Sequence, residues 1–141
     1  MCLQAGPALG FDPPERIGIT GAGDAIAWAH TIPAFGWYPE VYALFLSADG
    51  ALRRAAWLGS ATTLDDFVTW PDFSLGYLPS DGAAAVMLLI CRPGEGVEPS
   101  ASDLGVFELL RLAHEASRIP LADAVLVDGR RWCSMAARCG T

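Results

Sequence analysis

The stretch from Leu88 to Leu104, LLICRPGEGVEPSASDL, gathers much of the chemistry this sequence offers. It carries a thiol at Cys91, a guanidinium at Arg92, a hydroxyl at Ser100 and a carboxylate at Asp103, spread across a Gly- and Pro-containing turn. A second carboxylate, Glu40, stands just ahead of the apolar run VYALFL. Carboxylates can ligate a metal or move protons, and a thiol can act as a nucleophile where its surroundings favour the thiolate. Arginine can do neither, because its guanidinium stays protonated and presents only donors. A structural reading stands beside the catalytic one: Ser100-x-x-Asp103 is a helix N-cap pattern. The serine hydroxyl can accept first-turn N–H groups, and an acid three residues on favours the positive helix end.

Composition narrows the classes of function. The chain has 141 residues, 52% of them hydrophobic, which fits one packed domain rather than a disordered chain. Its net charge is −7, and Arg53-Arg54 and Arg130-Arg131 are its longest basic runs, so binding to nucleic acid is not expected. All nine basic residues are arginine, which excludes a Walker-type phosphate loop and lysine Schiff-base chemistry. Gly82 to Cys91 is the longest charge-free aliphatic stretch, about half of the ~20 residues a membrane helix needs. The N-terminus lacks a basic region followed by a sustained apolar one, so no secretory signal is expected and the cytoplasm is the default location. Cys2, Cys91, Cys133 and Cys139 show no C-x-x-C spacing and read as free thiols.

The elements that must position these groups follow from periodicity and turn signals. Residues 1–22 are rich in Gly and Pro and read as an N-terminal extension, leaving 23–141 as the domain. Asp24 to Thr31 has the spacing of a short amphipathic helix stopped by Pro33. Val41 to Leu46 and Leu52 to Leu58 form a hairpin about Asp49-Gly50. Thr62 to Tyr77, with aromatics every three or four residues but broken by Pro71 and Gly76, reads as an irregular helix or turn. Ala83 to Ile90 is a core strand and Ser100 to Ser117 a helix. Ala124 to Val127 is another strand, and Trp132 to Met135 pairs back to it. GITGAGDA has only Gly21-x-Gly23 and reads as a turn, not a nucleotide loop. The order is that of an α/β domain with a mixed sheet covered by helices.

From Glu40 onward the chain resembles the RadC-like branch of the JAB/MPN (JAMM) domains. In that family a glutamate opens the first strand of a hairpin, and a core strand ends in His-x-His-Pro. A Gly/Pro-containing turn then leads to Pro-Ser-x-x-Asp. Here Glu40 takes the glutamate position, Pro93 follows the histidine positions, and Pro99-Ser100-Ala101-Ser102-Asp103 stands at the family spacing. LADAVLVDGRRWCSMAA is similar to the strand, turn and serine-containing tail that follow, with Asp123 and Ser134 in register. The resemblance implies a single-domain, cytidine-deaminase-like α-β-α sandwich with a mixed central sheet. It also implies a zinc site made by two histidines and the aspartate, with Glu40 as general base and Ser100 supporting the oxyanion.

Departures from that pattern set the functional expectation. The histidine positions hold Ile90 and Arg92, neither of which can give a lone pair to a metal. Asp103 is the one family ligand left, and no cofactor is expected. Cys91 should point away if residues 90 and 92 face the pocket, since strand side chains alternate. His114, three turns along the helix from Asp103, is ~16 Å away by rise alone. Glu40 and Asp103 are then expected as neighbouring acids that Arg92 could neutralise, most naturally by pairing with Asp103. The alternative is an arginine directed to solvent. The expectation is therefore a non-catalytic domain that binds or scaffolds another protein, with a homodimer possible. Its rival is a hydrolase with altered metal ligands or a Cys91 nucleophile.

Overall fold

A computed structural model describes residues 9–11, 17–59, 83–116 and 119–139. The elements run β1 (Leu9–Phe11), α1 (Ala22–Ala29), β2 (Val41–Leu46), β3 (Leu52–Gly59), β4 (Ala85–Cys91), α2 (Ala101–Ala116), β5 (Leu121–Asp128), β6 (Arg131–Ser134) and α3 (Met135–Cys139). They build one mixed sheet in the order β1-β3-β2-β4-β5-β6. β4 and β5 are parallel, and the other neighbouring pairs are antiparallel.

The hairpin forms where Asp49-Gly50 places it. Gly50 adopts φ +88°, and the Ser47 N–H closes the turn on the Ala51 carbonyl at 2.8 Å. β2 is buried at all six positions, as expected of a central strand whose sequence is apolar at every residue. Alternation then splits the sheet into two faces. Val41, Ala43 and Phe45 of β2, with Val86, Leu88 and Ile90 of β4, pack beneath Val106, Phe107 and Leu110 of α2 and Met135 of α3. Tyr42, Leu44 and Leu46, with Met87, Leu89 and Cys91, pack against Ala25, Ile26 and Ala29 of α1. Each fully buried aliphatic side chain in these layers is worth about 1.5–3 kcal/mol of transfer free energy. The result is a helix layer on either side of a mixed sheet. Among the described residues, no helix is long and apolar enough to cross a membrane.

Three expectations need correction or lie elsewhere. Residues 1–22 are not only an extension: β1 pairs with β3, Gly18 bridges Ala51 and Ile19 is buried. A three-residue strand is too short to declare itself by alternation. The return strand ends at Ser134, and Met135 opens α3, a single turn-and-a-half whose length gives no readable period. The irregular helix expected over 62–77 lies outside the described residues.

Candidate functional site

In sheets of this kind, ligands collect beyond the carboxyl ends of parallel strands. Here those ends are Cys91 and Asp128, and residues 92–100 loop between them and α2. The Arg92 N–H continues the β4–β5 ladder by donating to the Val127 carbonyl at 2.8 Å. From there its side chain takes the α2 face, and Nη1 lies 3.0 Å from Asp103 Oδ1. Both side chains are nearly buried, at 10% and 12% exposure. Among the described residues the buried Arg92 Nε has no hydrogen-bond partner, so the guanidinium is held mainly by its ion pair.

Asp103 does two jobs at once. Its Oδ2 accepts the Ser100 N–H at 2.9 Å, while Ser100 Oγ accepts the Asp103 N–H at 3.0 Å. This reciprocal arrangement is a capping box with aspartate in place of the usual glutamate, and it starts α2 at Ala101. Burial pushes the Asp103 pKa upward, but the Ser100 N–H and the Arg92 guanidinium outweigh it and hold the carboxyl below its ordinary value.

The other half of the loop hangs on Asp128. Gly94 and Gly96 donate their N–H groups to its two oxygens at 3.0 and 2.9 Å, and Arg131 Nη2 adds a third bond at 3.0 Å. Both glycines have positive φ, +86° and +75°, which turns their N–H groups toward the acid. Those N–H donors, followed by Arg131, keep the Asp128 pKa below its ordinary value. Val97, between the Gly turn and the cap, packs on the α2-side core.

Glu40 belongs to the opposite face. The Cys91 N–H donates to the Glu40 carbonyl at 2.8 Å, and Tyr42 Oη donates to Glu40 Oε1 at 2.7 Å. Tyr42 and Cys91 both lie in the α1-side core. The sheet therefore stands between the Glu40 carboxylate and the Arg92–Asp103 pair, and the expected meeting of the two acids does not occur. The cause is parity: Glu40 and Tyr42 share a face at spacing two, whereas Ile90 and Arg92 share the other. Burial, chiefly, and the Glu40 hydrogen bond raise the Tyr42 pKa. The Cys91 thiol is pushed up to about 12, again chiefly by burial, so near neutrality it is not a thiolate. Ile90 is 1% exposed among Val41, Phe107 and Leu126 on the α2 side.

Asp123, in register with a family position, is buried and structural. Its carboxylate accepts the Ser134 hydroxyl and the Ala136 N–H, and Ser134 Oγ accepts the Ala137 N–H at 3.2 Å. Together they cap α3. His30 is exposed, with its ring in a T-shaped contact with Phe35, and the His114 side chain lies outside the described residues.

Asp128 is the residue that sequence reasoning passed over. In the sequence, Asp128-Gly129 is an Asp-Gly pair, which signals only a turn. The clue was the pair Gly94-x-Gly96, whose exposed N–H groups call for an anionic acceptor. Among the described residues, no three His, Cys, Asp or Glu side chains group so as to hold a metal. No family model matches the chain, and a search of curated proteins gives no match.

Proposed function

We propose that the chain is a RadC-like JAB/MPN domain of the non-catalytic kind, acting as a protein-binding or scaffolding module in which an ion pair takes the place of zinc. The observation that carries this reading is the Arg92–Asp103 contact at 3.0 Å. At the family spacing, the second histidine position holds a cation directed at the family's remaining ligand. A guanidinium supplies positive charge beside the carboxylate, as a metal would, but offers no open coordination position and no activated water. The donor set does not fit zinc: Ile90 has no lone pair, Arg92 has only donors, and both Asp103 oxygens are already engaged. Glu40, the family's general base, faces Tyr42 instead.

The thiol alternative is weakened by the burial of Cys91 and its raised pKa. Elemental analysis of the purified chain after incubation with zinc tests the proposal. Well below one zinc per chain is expected, together with no chelator-sensitive cleavage of peptide or isopeptide substrates. Stoichiometric zinc with such cleavage would overturn it.

A further inference from the structure

The outward ridge of α2 lacks the charges that a surface helix ordinarily turns to water. Between Ala101 and Leu112 its exposed positions are Ala101, Ser102, Gly105, Leu109 and Leu112, while Glu108 and Arg111 lie half-buried on the flank, paired with each other. Leu109 and Leu112 are 56% and 49% exposed. Gly105 stands one turn before Leu109, in the helix interior, where glycine costs stability relative to alanine. Among the described residues no contact requires it, since an added Cβ would meet nothing within 4 Å. Ser102, Gly105, Leu109 and Leu112 recur at spacings of three and four, so they form one stripe along the helix.

The exposed aromatic residues on the α1 side differ, because they lie against the chain's own glycines. The Gly129 N–H donates to the Gly36 carbonyl at 2.9 Å, clasping the α1–β2 loop onto the β5–β6 turn. The Trp37 ring lies on Gly129, where an added Cβ would stand 2.9 Å from it. Trp132 reaches back over Gly23, the glycine of α1. Gly23 thus has a ring against it, whereas Gly105 faces open space.

The α2 stripe runs small, small, large, large, and such an order of sizes is complementary to itself when reversed. A two-fold axis crossing α2 at the level of Phe107 lays a second α2 antiparallel on the first. It sets Leu109 against the partner's Gly105 and Leu112 against the partner's Ser102, and by symmetry each small position receives a leucine. The missing Cβ lets the two backbones approach closely there. Each Glu108 comes to this contact with Arg111 already beside it, so two chains of net charge −7 do not meet through bare acids. We infer that the ridge of Ser102, Gly105, Leu109 and Leu112 is the contact surface of a homodimer with antiparallel α2 helices. The inference goes beyond the reading of the Arg92–Asp103 site and does not use it: zinc content tests that reading, and oligomeric state tests this one.

Sedimentation equilibrium of the full chain from about 1 µM to about 1 mM, at roughly 150 mM salt, tests this. A single helix contact is at the small end of specific interfaces, so a reversible monomer–dimer equilibrium is expected within that range. Leu109→Lys and Gly105→Leu should each weaken it about tenfold or more, the first by removing the knob and the second by filling the notch. Gly105→Leu should at the same time raise the Tm of the dilute monomer, because it replaces a helix-interior glycine where space is open, so loss of the dimer is not loss of the fold. Combining Gly105→Leu with Leu109→Ala puts large opposite small again and should recover most of the association. Trp132→Ala, on the other side of the sheet, should leave the equilibrium unchanged. Four outcomes each overturn the inference. They are a chain still monomeric at about 1 mM, which leaves the ridge to another protein or to none; growth beyond the dimer, which a closed two-fold contact forbids; indifference to Leu109→Lys; and a tighter dimer in Gly105→Leu, as expected if like positions met between parallel helices.

Discussion

The Arg92 guanidinium and the Asp103 carboxylate meet at 3.0 Å across the turn between β4 and α2, each with about nine-tenths of its side chain out of water. Such a pair is costly to break from one side, because the charge left behind is buried without its partner. Arg92→Ala is therefore expected to lower stability by about 3 kcal/mol in urea unfolding. A double-mutant cycle with Asp103→Ala should show a coupling of about 1–3 kcal/mol. A change within about 0.5 kcal/mol would place the pair among surface contacts of little weight.

Acid should act through the same residues. Asp103 and Asp128 sit below the ordinary carboxyl value of 3.8, so near that pH the folded chain binds fewer protons than the unfolded one. The stability they give is complete above the unfolded value and is lost as pH falls through their folded values. Tm should fall steeply below about pH 4. In Arg92→Ala the fall should be shallower, because Asp103 loses a partner that depresses its pKa. An identical acid limb in both proteins would show that Arg92 does not set the Asp103 titration.

Returning the family's ligands is a direct test of descent. If the loop is a JAMM loop, Ile90→His with Arg92→His gives Asp103 two imidazole neighbours, and the double variant should take up about one zinc where the parent does not. Zinc-dependent protection against thermal unfolding would be the readout. No uptake in a folded double variant would count against the family assignment.

Thiol labelling separates two cysteines. Cys91 is fully buried with its pKa raised to about 12, whereas Cys133 is only partly buried. Iodoacetamide at about pH 8 should modify Cys133 in the folded chain and leave Cys91 untouched until denaturant is added. Peptide mapping that finds Cys91 alkylated first would mean that this sheet end opens readily.

Two glycines with nearly the same backbone angle should respond differently to alanine. Gly36 and Gly94 have φ +91° and +86°, but a Cβ at Gly36 would stand 2.4 Å from the Gly129 carbonyl oxygen, whereas at Gly94 it meets nothing within 4 Å. Gly94→Ala should cost about 1 kcal/mol, from the strained angle alone. Gly36→Ala must also break the clasp to Gly129 and should cost about 3 kcal/mol or more. Equal Tm shifts would mean that the clasp contributes nothing.

Local signals made much of this legible. Asp49-Gly50 announced the hairpin, Ser100-x-x-Asp103 the start of α2, and the parity of Ile90, Cys91 and Arg92 the faces they take. What escaped were relations between distant residues. Nothing near Asp128 in the sequence says that it holds Gly94 and Gly96, and nothing near Glu40 says that it turns to Tyr42 and not toward Asp103. Asp123 could be aligned with a family position, yet its capping of α3 needed the fold, because α3 is too short to read. β1 escaped for the same reason.

The reach of Asp128 has a kinetic side. It binds Gly94 and Gly96 from 34 and 32 residues down the chain, after α2 and β5 have intervened. Until β5 has docked in parallel beside β4, those two amides have no acceptor there, so the loop has to be ordered after the sheet is assembled. In pulse-labelling hydrogen exchange during refolding, the Gly94 and Gly96 amides should gain protection later than those of the β2–β3 hairpin. The loop that joins the two halves of the domain would then be the last part of it to set.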